Sequence, residues 1–251
     1  MASPVFARFL LAAIVAVYCF GAAPAWALKL IPFVAEFEPK GQGANKTFRL
    51  ENDTDEPSAV QLTMVRREMT FEGQDQLKDA DDEFVVFPPQ VVLLPGEGRT
   101  VRVQWVGDPQ PAAELAYRII AEQLPVELNK DAKPGASVKL VVRYEGAVYI
   151  VPPRAKGDAF VESAEPMAQQ GGATKLAIVV NNKGTAHQAL QDLSLTVKAA
   201  SGKSVTLEGD KLEGMLSQNV LAGHRRRFLL PWPADLPVEP VTVTMRIGGS
   251  S

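Results

Sequence analysis

Residues 84–125 constrain the fold of this chain more than any other stretch. They read FVVFPPQVVLLPGEGRTVRVQWVGDPQPAAELAYRIIAEQLP. The apolar run Val91–Leu94 ends at a Pro-Gly pair, which favours a turn. Apolar and polar residues then alternate over Val101–Val106, the period of a half-buried strand. After a proline-rich loop, Leu115–Leu124 is another strand-like run. The stretch therefore predicts an antiparallel β layer.

The same kind of pattern recurs along the whole chain. Short alternating apolar runs, separated by Gly, Pro, Asn and Asp, include Ala59–Val65, Val138–Val151, Leu176–Val180, Leu193–Val197 and Val241–Ile247. This spacing is typical of β-sandwiches, and no segment keeps a helical period over three turns. The 19 prolines also disfavour helices. We predict an all-β protein with two immunoglobulin-like sandwich domains.

Pro152-Pro153 marks the predicted boundary between the domains, because it follows a long apolar run and precedes a polar segment. The first domain is predicted over residues 28–151 and the second over residues 152–251, each close to the size of an immunoglobulin-like sandwich. Two consecutive prolines make a stiff joint, which predicts a fixed angle between the domains.

Residues 1–27 are predicted to be a signal peptide. Arg8 is the only charge before Lys29, and the apolar run that follows is short for a membrane span. Ala25-Trp26-Ala27 offers a cleavage site after Ala27; an uncleaved anchor and a lipoprotein based on Cys19 are the alternatives. Cys19 is the only cysteine, so the exported chain is predicted to have neither disulfides nor thiol chemistry.

Charge and motif content argue against several classes of function. The chain has 26 basic and 29 acidic residues, which gives no electrostatic signature for nucleic acid. No later apolar run approaches bilayer length, so no membrane insertion is expected after cleavage. Neither His187 nor His224 has metal ligands at suitable spacing, and both are predicted to be surface or loop residues. No nucleophile motif or phosphate loop occurs, so we predict no enzyme activity, metal or cofactor, and an exported hydrolase is disfavoured. Arg225–Arg227 is predicted to be an exposed strand start.

The order of elements in residues 84–125 is also informative. Pro-Pro, an apolar strand, Leu-Pro-Gly, a strand with Val-Arg, a loop, Glu-x-x-Tyr-Arg and a closing Leu-Pro follow one another. This order resembles the PapD-like periplasmic chaperones of pilus assembly. The resemblance implies a periplasmic chaperone that caps pilin-like subunits by donor-strand complementation and delivers them to an outer-membrane usher.

The resemblance also implies roles for individual residues. The run Val138–Tyr144 matches the family's strand with a lysine and, four residues later, an arginine, so Lys139 is expected to anchor the terminal carboxylate of the subunit. Arg143 is expected to join Glu114 and Asp235 in a salt bridge between the domains.

Two departures from the family pattern concern the site. The family's second anchor, an arginine on the first strand, falls near Glu36, and no arginine is present there. The segment before Lys139, where large apolar residues are expected, is small and polar. The candidate donor-strand residues are therefore Val126, Leu128, Val138 and Leu140. These departures support an alternative, a generic two-domain immunoglobulin-like exported protein that binds or scaffolds without donating a strand.

Overall fold

The computed structural model describes residues 28–125 and 141–248 of the chain. The predicted signal peptide and five predicted site residues lie outside the described part: Lys139, Val126, Leu128, Val138 and Leu140. Within these two ranges the only helices are short 3₁₀ turns at Gln42–Ala44 and Gly209–Leu212. None of the described helices is long or apolar enough to cross a membrane.

The described residues form strands almost throughout. In chain order these are β1 Leu28–Ile31, β2 Val34–Phe37, β3 Asn45–Asn52, β4 Ser58–Met69, β5 Asp75–Asp79, β6 Phe84–Phe87, β7 Gln90–Leu93, β8 Gly98–Trp105, β9 Leu115–Gln123, β10 Arg143–Ile150, β11 Ala159–Ala168, β12 Thr174–Asn182, β13 Gln188–Ala189, β14 Leu193–Ala199, β15 Ser204–Leu207, β16 Asn219–Val220, β17 Arg225–Pro231 and β18 Val241–Ile247.

Strands β1 to β10 form a first sandwich of two sheets. The four-stranded sheet has the order β1-β3-β8-β6, and the six-stranded sheet has the order β2-β10-β9-β4, with β5 and β7 both on the far edge of β4. β2 and β10 run parallel, and the other paired strands of this sandwich run antiparallel.

The chain changes sheets at prolines on both edges of the first sandwich. β1 belongs to the four-stranded sheet and β2 to the six-stranded sheet, with Pro32 and Phe33 between them. β6 and β7 divide between the same two sheets, with Pro88 and Pro89 between them. Because proline has no N–H to donate to a ladder, it suits the point where a strand leaves its partner.

A cluster of aromatic rings lies in the core of the first sandwich. The Phe84 ring centroid is 5.0 Å from those of Trp105 and Tyr117 and 6.1 Å from that of Phe37, with edge-to-face geometry in each pair. The Tyr117 hydroxyl donates a hydrogen bond to Glu83 Oε2 at 2.5 Å. Burial, and then this hydrogen bond, raise the pKa of Tyr117. The hydroxyl is therefore satisfied inside an otherwise apolar core.

Strands β11 to β18 form a second sandwich. Its sheets have the orders β11-β12-β17 and β15-β14-β18, and β13 pairs with β16. The buried Asn182 at the end of β12 shapes the loop that follows. Its Nδ2 donates to the carbonyls of Ala186 at 2.8 Å and Val220 at 2.9 Å, and its Oδ1 accepts from the N–H of Gly184 at 2.9 Å.

The predicted all-β architecture of two sandwiches is confirmed. One buried cluster draws on β1 to β10, and a second draws on the strands and loops from β12 onward. A smaller apolar group lies where the sandwiches meet: Met69, Ala116, Ala147, Tyr149 and Leu221. The domain boundary at Pro152 stays a prediction; β10 ends at Ile150 and β11 begins at Ala159.

Candidate functional site

One edge of strand β10 is only partly covered by another strand of the described residues. On one side β10 pairs with β9 along its whole length, from Arg143 opposite Glu122 to Ile150 opposite Leu115. On the other side β2 pairs only with residues 147–150. No described strand covers that side of β10 from Arg143 to Gly146.

The hydrogen-bond pattern shows which main-chain groups face this uncovered side. Gln123 donates its N–H to Val142 O at 2.9 Å, and Ala147 donates its N–H to Phe33 O at 2.8 Å. Because the direction alternates along a strand, even-numbered residues of β10 bond to β9 and odd-numbered residues face the other side. The N–H groups of Arg143 and Glu145 therefore point away from β9, within the plane of the sheet, towards its uncovered side.

Gly146 allows the segment between β1 and β2, which crosses from one sheet to the other, to pass close to β10. A Cβ atom at this position would lie 3.2 Å from Phe33 O, 2.9 Å from Ile119 Cγ2 and 3.1 Å from Leu30 Cδ2. These distances are shorter than ordinary van der Waals contacts, so a side chain at this position would push the crossing segment away.

Large apolar side chains border the uncovered main chain. Ile31, Phe33 and Val34 at the crossing and Val141 just before β10 are all about half exposed. Apolar side chains beside unpaired strand groups are typical of a surface that another chain covers. We call the main-chain edge of Arg143–Gly146, together with these four side chains, the open edge.

The charges near the open edge are already paired with one another. Arg143 Nε donates to Glu145 Oε1 at 3.0 Å, and Arg143 Nη1 lies 3.8 Å from Glu122 Oε2. All three side chains are well exposed, so these contacts contribute little to stability.

The predicted salt bridge of Glu114, Arg143 and Asp235 is not formed. Arg143 lies opposite Glu122, whereas Glu114 precedes the other end of β9, so the two residues are roughly 25 Å apart along the sheet. Asp235 is exposed in the loop between β17 and β18 and forms no ion pair with any described residue.

Glu114 does lie between the sandwiches, but its partner is His187. The Glu114 side chain is only 2% exposed. Its Oε1 accepts the main-chain N–H of His187 at 3.1 Å and lies 2.8 Å from His187 Nδ1. The Glu114 N–H donates to Thr185 O at 2.8 Å, and the His187 ring stacks on that of Tyr149 with centroids 4.1 Å apart.

This role of His187 was not predicted from the sequence. The residue lies in a loop, as predicted, but it is half-buried against the first sandwich rather than on a free surface. Glu114 is 73 positions away in sequence, and no local motif links the two residues.

Neither β1 nor β2 contains the arginine that the family has on its first strand. Lys29 is the only basic residue in β1 and β2, and it forms an ion pair with Asp53. Glu36 is exposed on β2. Within the described residues, Arg143 is the cation that lies on the open edge itself.

Comparisons with known proteins agree with this architecture. The family model described as the pili and flagellar-assembly chaperone, PapD N-terminal domain, matches residues 38–156. Residues 38–156 therefore belong to this family of pilus and flagellar-assembly chaperone domains. The predicted family is confirmed. No curated protein sequence matches the chain.

Solved structures of fimbrial chaperones share the fold. A chain from the CsuC–CsuE chaperone–tip adhesion subunit pre-assembly complex of Acinetobacter baumannii is 16% identical, with a TM-score of 0.56 and coverage of 84% of this chain and 90% of that one. The class 5 fimbriae chaperone CfaA is 12% identical, with a TM-score of 0.53 and coverage of 88% and 100%. The E. coli chaperone DraB is 20% identical, with a TM-score of 0.52 and coverage of 83% and 86%.

Proposed function

We propose that this chain is a periplasmic chaperone that binds pilin-like subunits by lending them a strand and passes them to an outer-membrane usher. The open edge is the observation that supports this most strongly. A subunit whose sandwich lacks a strand exposes unpaired main-chain groups and an apolar groove. The N–H groups of Arg143 and Glu145 can bond to such an edge, and the neighbouring apolar side chains can cover such a groove.

The donor strand itself stays a prediction. Val126, Leu128, Val138 and Leu140 lie outside the described residues, in the segment that leads into the open edge. The proposal is that alternate apolar side chains of this segment enter the subunit groove while the main chain of Arg143–Gly146 continues the pairing.

Lys139 is the proposed anchor for the subunit's terminal carboxylate. Arg143 is poorly suited to replace the missing arginine, because its guanidinium already binds Glu145 and faces Glu122. Two carboxylates around one guanidinium leave a net negative charge, which repels a third. Lys139→Ala is therefore expected to abolish subunit capture, and Arg143→Ala is expected to leave it largely intact.

A second exposed apolar surface supports transfer to another partner. It lies on strands β6 and β7 and the residue after β7, at the opposite edge of the first sandwich from the open edge. Its members are exposed apolar side chains: Val85, Phe87, Val92 and Leu94. Phe87, at 71% exposure, is the most exposed large apolar residue among those described. A chaperone loaded at the open edge would keep this surface free for the usher.

The proposal also includes the absence of enzyme activity. Glu114 is buried and His187 is half-buried; they are the one close carboxylate–histidine pair among the described residues, and both are joined to the main chain of the junction. This pair orients two loops and leaves no nucleophile within its contacts.

A substitution at Glu145 tests the proposal directly. Glu145→Pro removes an N–H that faces outward and makes no bond to β9, and proline is tolerated on strand edges. We expect the variant to fold but to lose a 1:1 complex with a co-expressed pilin-like subunit in size-exclusion chromatography.

Glu145→Ala is the matched control, since it removes the same side chain but keeps the N–H. It is expected to retain the complex. If the proline variant binds the subunit as well as the alanine variant, strand pairing at the open edge is wrong. If neither variant nor the unmodified chain binds any pilin-like subunit, the generic binding-module alternative is favoured.

A further inference from the structure

The β4–β5 hairpin extends beyond the sheet that carries it. β4 pairs with β9 only up to Arg66, yet it continues to Met69 and pairs there with β5. A tight turn closes the hairpin, with Thr70 N–H donating to Gln74 O at 2.9 Å and Gly73 N–H donating to Thr70 O at 2.9 Å. The end of the hairpin therefore projects from the first sandwich.

This hairpin turn contacts strand β17 of the second sandwich in three different ways. The Arg227 N–H donates to Phe71 O at 2.7 Å. Arg227 Nη2 lies 2.9 Å from Glu72 Oε1. The Phe71 ring centroid is 5.2 Å from Arg227 Cζ and 5.9 Å from Arg225 Cζ, within cation–π range. The hairpin is thus attached by main chain, charge and aromatic contact together.

The base of the hairpin contacts the second sandwich through a buried arginine. The Arg67 side chain is 6% exposed, and its Nε donates to Asp75 Oδ1 at 2.7 Å. Arg118 Nη2 donates to the other oxygen of Asp75 at 2.8 Å. Arg67 Nη2 reaches Asn219 Oδ1 at 3.4 Å, and Asn219 Nδ2 donates to Tyr149 Oη at 2.9 Å.

Gly73 leaves room for a second arginine in this contact. Arg226 donates from Nη1 to Asn219 O at 2.9 Å and from Nη2 to Gln218 Oε1 at 2.8 Å. A Cβ atom at Gly73 would lie 2.0 Å from Arg226 Nε, so alanine cannot occupy this position without displacing the guanidinium. Gly73 also has a φ of 83°, which favours glycine.

The hairpin is one of several attachments between the sandwiches in the described part of the chain. The others include the Glu114–His187 contact, on the loop that follows β12, and the Asn219–Tyr149 hydrogen bond. A single attachment acts as a hinge, whereas two attachments on different elements resist rotation.

We propose that the β4–β5 hairpin is a clamp that fixes the angle between the sandwiches, with Gly73 and Arg67 as its positioning residues. The clamp thereby shapes the space beside the open edge in which a subunit is held; this second part rests on the proposed chaperone function. The hairpin takes the place of the Arg143-centred network that the sequence predicted.

The distance between the sandwiches gives a readout that does not depend on any partner. Cys19 is the only native cysteine and is replaced by serine if the predicted signal peptide is retained. Spin labels at Thr100→Cys on β8 and Lys203→Cys before β15 then report the distance by double electron–electron resonance. Gly73→Ala and Arg67→Ala are each expected to broaden the distance distribution roughly twofold, because the remaining attachments then resist rotation of the sandwiches less.

Two control variants separate the clamp from local effects. Gly96→Ala introduces alanine at a φ of 71° in the same sandwich but with no atom within 4 Å of the new Cβ. Lys78→Ala removes the exposed Lys78–Glu68 contact within the hairpin. Both are expected to keep the narrow distribution of the unmodified protein.

Two outcomes would overturn the proposal in separable ways. Distributions as narrow as the unmodified protein's in both Gly73→Ala and Arg67→Ala, with circular dichroism showing folded chains, contradict the clamp itself. A broadened distribution with undiminished capture of a co-expressed pilin-like subunit contradicts the role of the clamp in holding the subunit. Failure of the unmodified protein to bind a subunit contradicts the chaperone function and leaves the distance result standing.

Discussion

The two halves of strand β10 lie in opposite environments, although they are continuous in one eight-residue strand. From Arg143 to Gly146 one edge has no described partner and apolar side chains stand beside it. From Ala147 to Ile150 the strand is paired on both edges and buried, and Tyr149 contacts the second sandwich through Asn219 and His187.

This contrast separates binding from scaffolding. At the buried half, polar groups have specific partners because unpaired groups are costly away from water. At the open half, water satisfies the outward N–H groups, so they stay available to a partner strand without destabilising the fold. A chaperone that lends its main chain to another protein requires such a half-open strand.

The largest loss of stability is expected from a substitution at Gly146, where the two halves of β10 meet. Gly146→Val places a branched side chain against Phe33 O and Ile119, so overpacking should lower the free energy of unfolding by about 3 kcal/mol. Chemical denaturation followed by tryptophan fluorescence measures this change. An effect below that of Gly96→Ala would show that the crossing does not depend on a glycine.

A smaller loss of stability is expected from a substitution at His187, which stacks on Tyr149 in the buried half of β10. His187→Ala leaves the buried Glu114 carboxylate with the residue-187 main-chain N–H but without the ring, at a cost of about 2 kcal/mol. His187→Asn places an amide donor where Nδ1 lies and should recover part of the loss. Equal unfolding energies for the alanine variant and the unmodified protein would contradict the account of this contact. Subunit binding at the open edge should change little in either variant.

Low pH provides a finer test, because acidification should loosen the clamp at a higher pH than it affects the open edge. Burial acts to raise the pKa of Asp75, but the hydrogen bonds from Arg118 and Arg67 outweigh it and hold that pKa below its ordinary value of 3.8. A carboxyl whose pKa falls on folding stabilises the fold above its unfolded pKa, and this stabilisation is lost as the pH falls from 3.8 through the lowered value.

The spin-label distribution should therefore broaden only in that acidic range, and Asp75→Asn should remove this pH dependence. A distribution that broadens at the same pH in Asp75→Asn would assign the acid sensitivity to another group.

Much of the architecture was predictable from local pattern. The turn at Pro95-Gly96 and the alternation of Val101–Val106 correspond to the boundary between β7 and β8 and to β8 itself. Arg225–Arg227, predicted to be an exposed strand start, do begin β17, but only Arg225 is exposed, since Arg226 and Arg227 are partly buried. These predictions depend on side-chain period and turn chemistry, which act over a few residues.

Contacts that depend on register could not be predicted in the same way. Sequence spacing places Arg143 on a face of its strand, but its cross-strand neighbour is fixed by the pairing of β9 with β10, so the choice of Glu114 was wrong. Arg226 and Arg227 contact a hairpin more than 150 positions earlier, and no local signal marks that contact. The split of residues 28–37 between two sheets was also missed, since it depends on both neighbouring strands.

Amide hydrogen exchange at β10, resolved by residue with NMR, tests the central claim most directly. In the free protein the amides of Arg143 and Glu145 should exchange fast, whereas those of Tyr144 and Gly146, which face β9, should exchange slowly. Binding of a pilin-like subunit should slow exchange at Arg143 and Glu145 and leave Tyr144 and Gly146 unchanged. A complex in which Arg143 and Glu145 still exchange as fast as in the free protein would contradict strand pairing at the open edge.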